Sequence, residues 1–417
     1  MADYFLFHDR EIINRCDDSV VAIRNGKYHF FRRSRGFVPE PLMVSREPDC
    51  CDGKGDNAIL GVGGDMKNTF CVLKSGKAFL SQHIGSLSTL QGQKAWHDAL
   101  QNICRLMRIE PRVAAFDLHP QYCGTGLIKG LDISTKIGVQ HHHGHMAACM
   151  AENGLEGKVT GVILDGTGYG LDGRIWGCEV LSGGYFNFTR EYHLQYLPLA
   201  GGERAVNNPW ITAVSYLITL FDEEGFKIAR QLFPDKASEI QTISRMLRVK
   251  INTPLTSSCG RLFDAVSALL GLCTVNTYEG RGGILLGEMV PGYIRGSLNP
   301  YPFKIREGVM EVKLMLKAVL NDMARGVPPS KIAGRFHDTL ITMLAEAVQI
   351  VRARRGNNRV VLSGGCWHNR YLLSAFCQLL EEKGFEVYHH TKIPTGDGGI
   401  SLGQAMVAAR KAKAGQD

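Results

Sequence analysis

The sequence predicts a mixed α/β fold with an internal duplication. Short apolar strands alternate with long amphipathic helices, and two glycine loops sit in matching strand contexts roughly a hundred residues apart. The 417 residues, 44% hydrophobic and 21% charged, exceed ordinary single-domain size, which excludes global disorder or a fibre and favours two or more packed units.

The first elements are the least domain-like. Residues 1–41 run from FLFHDREIINRCDDSVV through YHFFRRSRGFVPEP to two closing prolines. That length is marginal for an independent core, so the segment reads as an appendage or part of something larger. Arg24, Arg32, Arg33 and Arg35 form a candidate anion patch, with a basic solvated hairpin as the plainer alternative. After a linker at 42–56, the pattern changes at Asn57. AILGVG leads through the loop GGDMKN to TFCVLK, a turn at Ser75-Gly76, and AFLSQH. Further along, VTGVILD leads through GTGYGLDG to RIWGCEVL, a turn at Ser182-Gly184, and YFNFTREY, repeating the organisation without repeating the letters. Two such loops facing each other can hold a polyphosphate through backbone N–H groups. Neither is a Walker loop or a dinucleotide fingerprint.

Helices follow each strand group. SLSTLQGQKAWHDALQNICRLMRI and NPWITAVSYLITLFDEEGFKIARQLF carry helical apolar periods, Ala237 to Leu272 reads as largely helical, and FHDTLITMLAEAVQIVRARR forms an apolar-striped helix. Near the C-terminus, NRVVLSGG is a strand into a glycine turn, HNRYLLSAFCQLLEEKG a helix closed by Gly384, FEVYHH a strand, and SLGQAMVAARKAKA the last helix. This alternation predicts helices covering largely parallel sheets. Scattered cysteines, 12 in all with no CxxC, point to a reduced cytoplasmic setting, and no apolar run or leader pattern suggests a membrane or export. The formal net charge of +8 permits nucleic acid without indicating it.

Chemistry concentrates in GVQHHHGHMAACMAEN, which holds four of the 14 histidines. In a helix His141 and His145 share one face, a spacing suited to one metal ion. Asp165, ending VTGVILD, and Asp397, in TKIPTGDGGISLGQ, are candidate further ligands, giving an N/O set for iron, manganese or zinc. A helix-start cluster in ordinary hydrogen bonds is the alternative. RVVLSGGCWHNR places Ser363, Gly364, Gly365 and Asn369 where a strand meets a helix, and GGDMKN offers Lys67 as a phosphate counter-charge with Asn68 and Thr69 as donors. Arg261 and Asp264 in TSSCGRLFDAVSALLG suit a local salt bridge or a site role. Asp117 and His119 in DLHPQY suit a supporting or substrate-contacting one. No local motif orders a nucleophile triad.

Taken together, NRCDDSVV, RRSRGFVP, GVGGDMKNTF, DLHPQY, HHHGHMAA, DGTGYGLDG, SSCGRLFDA, LSGGCWHNR and GDGGISLGQ resemble, in order, the C-terminal portion of the HypF carbamoyltransferase family of NiFe-hydrogenase maturation. Motifs are shared with the wider Kae-type threonylcarbamoyl and O-carbamoyl transferases. The resemblance implies a two-lobed actin/Hsp70-like fold, the ASKHA or duplicated RNase H-like class, around a nucleotide cleft. It implies the end of a truncated YrdC-like domain at 1–41 and a Kae-type domain at 57–417, with lobes 57–160 and 161–417. The acylphosphatase-like domain, zinc-finger segments and the rest of the YrdC-like domain would precede this part in the full family protein.

The resemblance further implies carbamoyl adenylate made from carbamoyl phosphate and ATP, and transfer of its carbamoyl group to the C-terminal Cys thiol of HypE, with only the transfer half retained here. No nucleic acid or membrane partner is implied. His141, His145, Asp165 and Asp397 match the family's metal positions, with iron or zinc foremost and manganese or magnesium as alternatives. Lys67, Asn68, Thr69, Gly166, Thr167, Gly168, Asp264, Gly364, Gly365 and Asn369 fall in nucleotide-contacting regions, while Asp117, His119, Arg33 and Arg35 fall near substrate or behind the ligands. The nucleophile would belong to the partner, leaving Cys366 dispensable. YEGRGGILLGE departs from the family's YEGQAAIELE at Arg281, Gly282 and Gly283, changing charge and helix propensity beside the cleft, and Gly396 replaces the usual Asn. A small-molecule O-carbamoyltransferase and a non-catalytic nucleotide-responsive scaffold are the alternatives.

Overall fold

A computed structural model describes residues 3–24, 26–44, 58–290 and 299–414. The linker 42–56 from residue 45 onward, Cys50, Cys51 and the expected strand start at Asn57 lie outside the described residues.

The N-terminal segment forms an antiparallel hairpin of β1 (Val20–Arg24) and β2 (Lys27–Arg32). Next comes a six-stranded sheet built from β3 (Leu42–Met43), β4 (Ala58–Gly61), β5 (Cys71–Lys74), β6 (Lys77–Leu80), β7 (Pro111–Asp117) and β8 (Thr135–Val139), in the spatial order β3-β6-β5-β4-β7-β8. Strands β4, β5 and β6 form an antiparallel meander, and between β5 and β6 the two-residue Ser75-Gly76 turn is too short for any other connection. Strands β7 and β8 then add in parallel beside β4. The helices α1 (Leu90–Met107) and α2 (Cys123–Lys129) make the crossovers that parallel pairing needs. Thr89 caps α1 by accepting from Gly92 N, and Trp96, Ala99 and Leu100 bury its inner face.

The second sheet repeats this topology. β9 (Val159–Tyr169), β10 (Ile175–Gly183) and β11 (Phe188–Leu194) form the antiparallel meander, and the strands Arg359–Ser363 and Glu386–His389 add in parallel beside β9. A small hairpin, Lys304–Arg306 and Val309–Glu311, extends the far edge. Both sheets are therefore mixed, three antiparallel strands followed by two parallel ones, where the alternation of strands and helices suggested largely parallel sheets. The inserted helices between β11 and Arg359, chiefly Pro209–Leu232, Ala237–Val249, Cys259–Leu269 and Pro329–Arg355, supply the largest hydrophobic core of the second half. The stretch Ala237–Leu272 is broken by the short strand Leu255–Thr256.

Each half ends in a helix that crosses to the other. α3 (His141–Glu152) packs on β9 and the strand Arg359–Ser363 of the second sheet, while the final helix, Ile400–Ala414, packs on β4, β5 and β7 of the first. The two helices cross at Gly403 and Gly144: a Cβ on Gly403 would lie 1.8 Å from the Gly144 carbonyl oxygen. Small buried residues, among them Ala147, Ala148, Ala405 and Ala408, flank that crossing. Among the described residues no helix is long and apolar enough to cross a membrane, and each described cysteine is free.

Candidate metal centre

α3 begins abruptly because Gln140 caps it, its side chain accepting from His143 N at 2.9 Å. His141 is then the first helical residue, and His145 follows one turn later on the same face. All twelve residues of α3 are buried, so these imidazoles face protein rather than solvent. Asp165 comes from the end of β9 and Asp397 from the turn preceding the final helix. One ligand atom from each of His141, His145, Asp165 and Asp397 lies within 4.8 Å of all the others. His141 Nε2 is 3.2 Å from Asp165 Oδ2 and 3.7 Å from Asp397 Oδ1, and His145 Nε2 is 3.5 and 3.6 Å from the same two atoms.

The donor set fits a divalent cation. Two carboxylates in a buried pocket need compensating positive charge, which a divalent ion would supply in place of ring protons, and His145 Nε2 is buried with no hydrogen-bond partner. Burial alone would lower the His141 imidazole, but Asp117, Asp165 and Asp397 outweigh it and hold its pKa well above the ordinary value. His145 is likewise raised against burial, by Asp165 and Asp397. Burial would raise Asp165, yet the two imidazoles hold it well below the usual carboxylate range. The neighbouring histidines behave oppositely: burial pushes His142 far down and His143 to about 4. His143 points away, its Nε2 lying 2.8 Å from Gly184 O.

Both glycine loops border this cluster. A Cβ on Gly64 would approach Asp397 Oδ2 to 3.4 Å, and one on Gly168 would collide with His142 and His141 at 2.5 and 2.7 Å. The third glycine turn closes the site from behind, where Gly365 N donates to Asp165 Oδ1 at 3.1 Å. Gly364, at φ +104°, sits so close to the Leu164 backbone that any side chain is excluded.

The other expected residues fall into three groups. Asp117 stands directly behind the cluster, with Oδ2 2.7 Å from His141 Nδ1 and Oδ1 accepting from His119 N at 2.9 Å. His119 stacks on Tyr122 at 4.2 Å between ring centroids, near Tyr169 at the end of β9. Lys67 pairs with Glu279 at 3.0 Å, and Gly166 and Thr167 lie partly or fully exposed along the cleft-side end of β9. A second group has its polar atoms engaged elsewhere. Asn68 Nδ2 donates to Val62 O and Gly64 O, and Thr69 Oγ1 donates to Gly398 O and meets Ser401 Oγ, so both brace loops instead of presenting free donors. Asn369 caps the helix Arg370–Glu382 and contacts His337. Asp264 is buried against Arg261 Nη2 at 3.0 Å and Asn276 Nδ2 at 3.3 Å, with burial raising its carboxyl. The third group belongs to the N-terminal segment. Arg33 donates to Phe37 O and Glu40 O, while Arg35 donates to Cys16 O and pairs with Asp18, so both guanidinium groups make contacts within the segment itself.

The segment that departs from the family pattern does form a helix, Arg281–Glu288. Gly282 fits there because a Cβ would lie 2.6 Å from Asp264 Oδ1. Sequence reasoning missed Glu152 and His390, whose buried contact at 2.6 Å joins residues far apart in the chain and has no local signature.

Residues 54–152 match the HypF Kae1-like domain, and residues 161–404 match the carbamoyltransferase Kae1-like domain, second subdomain. A carbamoyltransferase HypF of Rhizobium leguminosarum bv. viciae is 36% identical over 98% of this chain and 51% of its own length. A carbamoyltransferase HypF homolog of Cupriavidus necator is 31% identical over 86% of this chain and 93% of its own length. A crystal structure of full-length HypF in the phosphate- and nucleotide-bound form superposes with a TM-score of 0.91 at 39% identity, covering 98% of this chain and 63% of that one. HypF of T. kodakarensis gives 0.88 at 30% identity, covering 99% and 54%. The chain thus spans about half the length of most curated relatives it matches. With both subdomain models matched in order and a relative of nearly equal length, the chain belongs to the HypF-type carbamoyltransferase family, over its Kae1-like domain.

Proposed function

We propose that this chain transfers a carbamoyl group from carbamoyl adenylate to the C-terminal Cys thiol of a HypE partner. The observation that carries this reading is the convergence of His141, His145, Asp165 and Asp397 between the glycine loops. Those four residues would hold a divalent metal, iron or zinc foremost, which when bound supplies positive charge opposite a phosphate. The backbone N–H groups of Gly64 and Gly166–Thr167 are suited to orient the adenylate, while those of Gly63, Gly364 and Gly365 are spent on Gln404 Oε1, Thr395 O and Asp165 Oδ1; Lys67 adds a counter-charge at the mouth. Asp117 keeps His141 in the tautomer whose Nε2 faces the cluster.

In the transfer step the partner's thiolate forms the new S–C bond at the carbamoyl carbon. The C–O bond to the phosphate breaks, and AMP leaves with that electron pair. This chain contributes orientation and exclusion of water, which matter because a carbamoyl carbon is a poor electrophile. It needs no nucleophile of its own, and Cys366 is dispensable on this reading. Mixing the chain with carbamoyl adenylate and a HypE C-terminal Cys peptide, read by mass spectrometry, is the direct test. The expected result is one carbamoyl group on the Cys, lost in His141→Ala and Asp397→Ala while peptide binding persists. Carbamoylation of a hydroxylated metabolite instead, or no transfer by the folded parent, would overturn the reading.

A further inference from the structure

His145 faces the cluster with Nε2, and a chain of buried polar groups runs away from its other nitrogen. Ser363 Oγ lies 3.3 Å from His145 Nδ1, 2.9 Å from His390 Nε2 and 3.2 Å from Thr395 O. His390 Nδ1 lies 2.6 Å from Glu152 Oε2. The other Glu152 oxygen accepts from the backbone N–H groups of Thr391 and Lys392 at 2.5 and 2.6 Å and from the Thr391 hydroxyl at 3.3 Å. His145, Ser363, His390 and Glu152 are all at most 5% exposed. The chain links three elements: α3, which carries both Glu152 and His145, and the ends of the strands Arg359–Ser363 and Glu386–His389.

Proton bookkeeping gives this chain a direction. Donors converge on both Glu152 oxygens, which favours an ionised carboxylate that can only accept. Burial would raise the Glu152 pKa, but His390 and the backbone donors more than offset it and hold it below the usual range. His390 must then carry its proton on Nδ1. In the neutral ring Nε2 is an acceptor, and Ser363 is the hydroxyl that reaches it. With its hydrogen turned toward His390 or toward Thr395 O, Ser363 Oγ has only lone pairs left for His145. His145 therefore donates from Nδ1, which in the neutral ring leaves Nε2 bare where it faces Asp165 and Asp397.

We propose that Glu152, His390 and Ser363 act together as positioning residues for His145, selecting the tautomer that leaves Nε2 free to hold a divalent metal. This rests on reading the four-residue cluster as a metal centre. His141 gets the same service in one link, from Asp117, so the two imidazoles are set by independent devices, one at the end of β7 and one at the end of the strand Arg359–Ser363.

The test uses the whole chain, stripped of metal, with zinc as the probe in competition against a chromophoric chelator. Ser363→Ala removes the hydroxyl alone and leaves the Glu152–His390 contact, while Glu152→Gln keeps the shape and removes the charge. Both should weaken zinc binding about ten- to a hundredfold. In metal-free protein with 15N-labelled histidine, at a pH high enough to make the ring neutral against the two carboxylates, His145 should show a protonated Nδ1 and a bare Nε2 in the parent. That signature should be lost or mixed in both variants, with the thermal midpoint of Ser363→Ala close to the parent's. A buried network serving only stability would shift the midpoint and leave the ring signature intact. His141→Ala separates the two readings. If the parent binds zinc and His141→Ala does not, yet Ser363→Ala and Glu152→Gln bind like the parent with unchanged ring signals, the positioning proposal is overturned and the metal reading stands. If His141→Ala binds as tightly as the parent, both are overturned.

Discussion

Replacing Gly403 by Ala tests how the two halves are joined. The added Cβ would lie 1.8 Å from Gly144 O and 2.7 Å from Ala148 N, both backbone atoms of α3. No rotamer change relieves a backbone contact, so the helices must part by more than an ångström to bring that Cβ out to a tolerable 3.0 Å. Parting them loosens the packing of Ala147, Ala148, Ala405 and Ala408 around the crossing. Overpacking of this kind costs about 1–3 kcal/mol, and the upper end is expected with rigid backbone on both sides. The same movement shifts Asp397, six residues upstream on the displaced segment, away from His145. Urea unfolding of the metal-free chain should lose ~2–3 kcal/mol, and chelator competition should show weaker zinc binding. Parent-like stability would refute the packing argument; lost stability with parent-like zinc affinity would refute the link from the crossing to the cluster.

Other expectations follow from individual contacts. Asp117→Asn should weaken zinc binding about tenfold or more in chelator competition, because the amide no longer holds the Nδ1 proton of His141 with a full charge. Glu152 has a folded pKa below its unfolded value near ~4.3, so its contribution is present above that value and is lost as pH falls through the folded one. Urea midpoints followed from pH 6 downward, a range chosen at about the unfolded carboxylate values and below, should fall less steeply in Glu152→Gln than in the parent. Lys67→Ala removes an ion pair whose partners are about half exposed, so stability should change by less than ~1 kcal/mol. Its AMP affinity, measured by calorimetry, should drop and lose part of its salt dependence; unchanged AMP binding would remove Lys67 from the site.

Much of the fold was legible because its signals are local. The meander strands declare themselves by apolar runs between glycine turns, as AILGVG and TFCVLK do, and α3 by the helix-like run that begins at the histidine cluster. The mixed character of the sheets was less visible, since strand direction depends on which strands pair across the long inserted helices. Residue roles were legible only where chemistry and spacing coincide. Asn68 and Thr69 have the right groups for phosphate, yet the tight loop turns their polar atoms onto carbonyls and a serine. Arg33 belongs to a candidate anion patch by composition, but only the structure shows its Nη2 tying down the Phe37–Glu40 turn. Glu152 meets His390 across 238 residues of sequence, a distance no local pattern spans.

The glycine contact between α3 and the final helix has a mechanical consequence. Two backbones that nearly touch can rotate about their point of contact but cannot glide along one another without a collision. Any opening or shutting of the cleft must therefore swing about Gly144 and Gly403 as a fulcrum. His145 lies beside that fulcrum and Asp397 a short lever arm away, so the halves can hinge widely at their outer rims while these two candidate ligands move little.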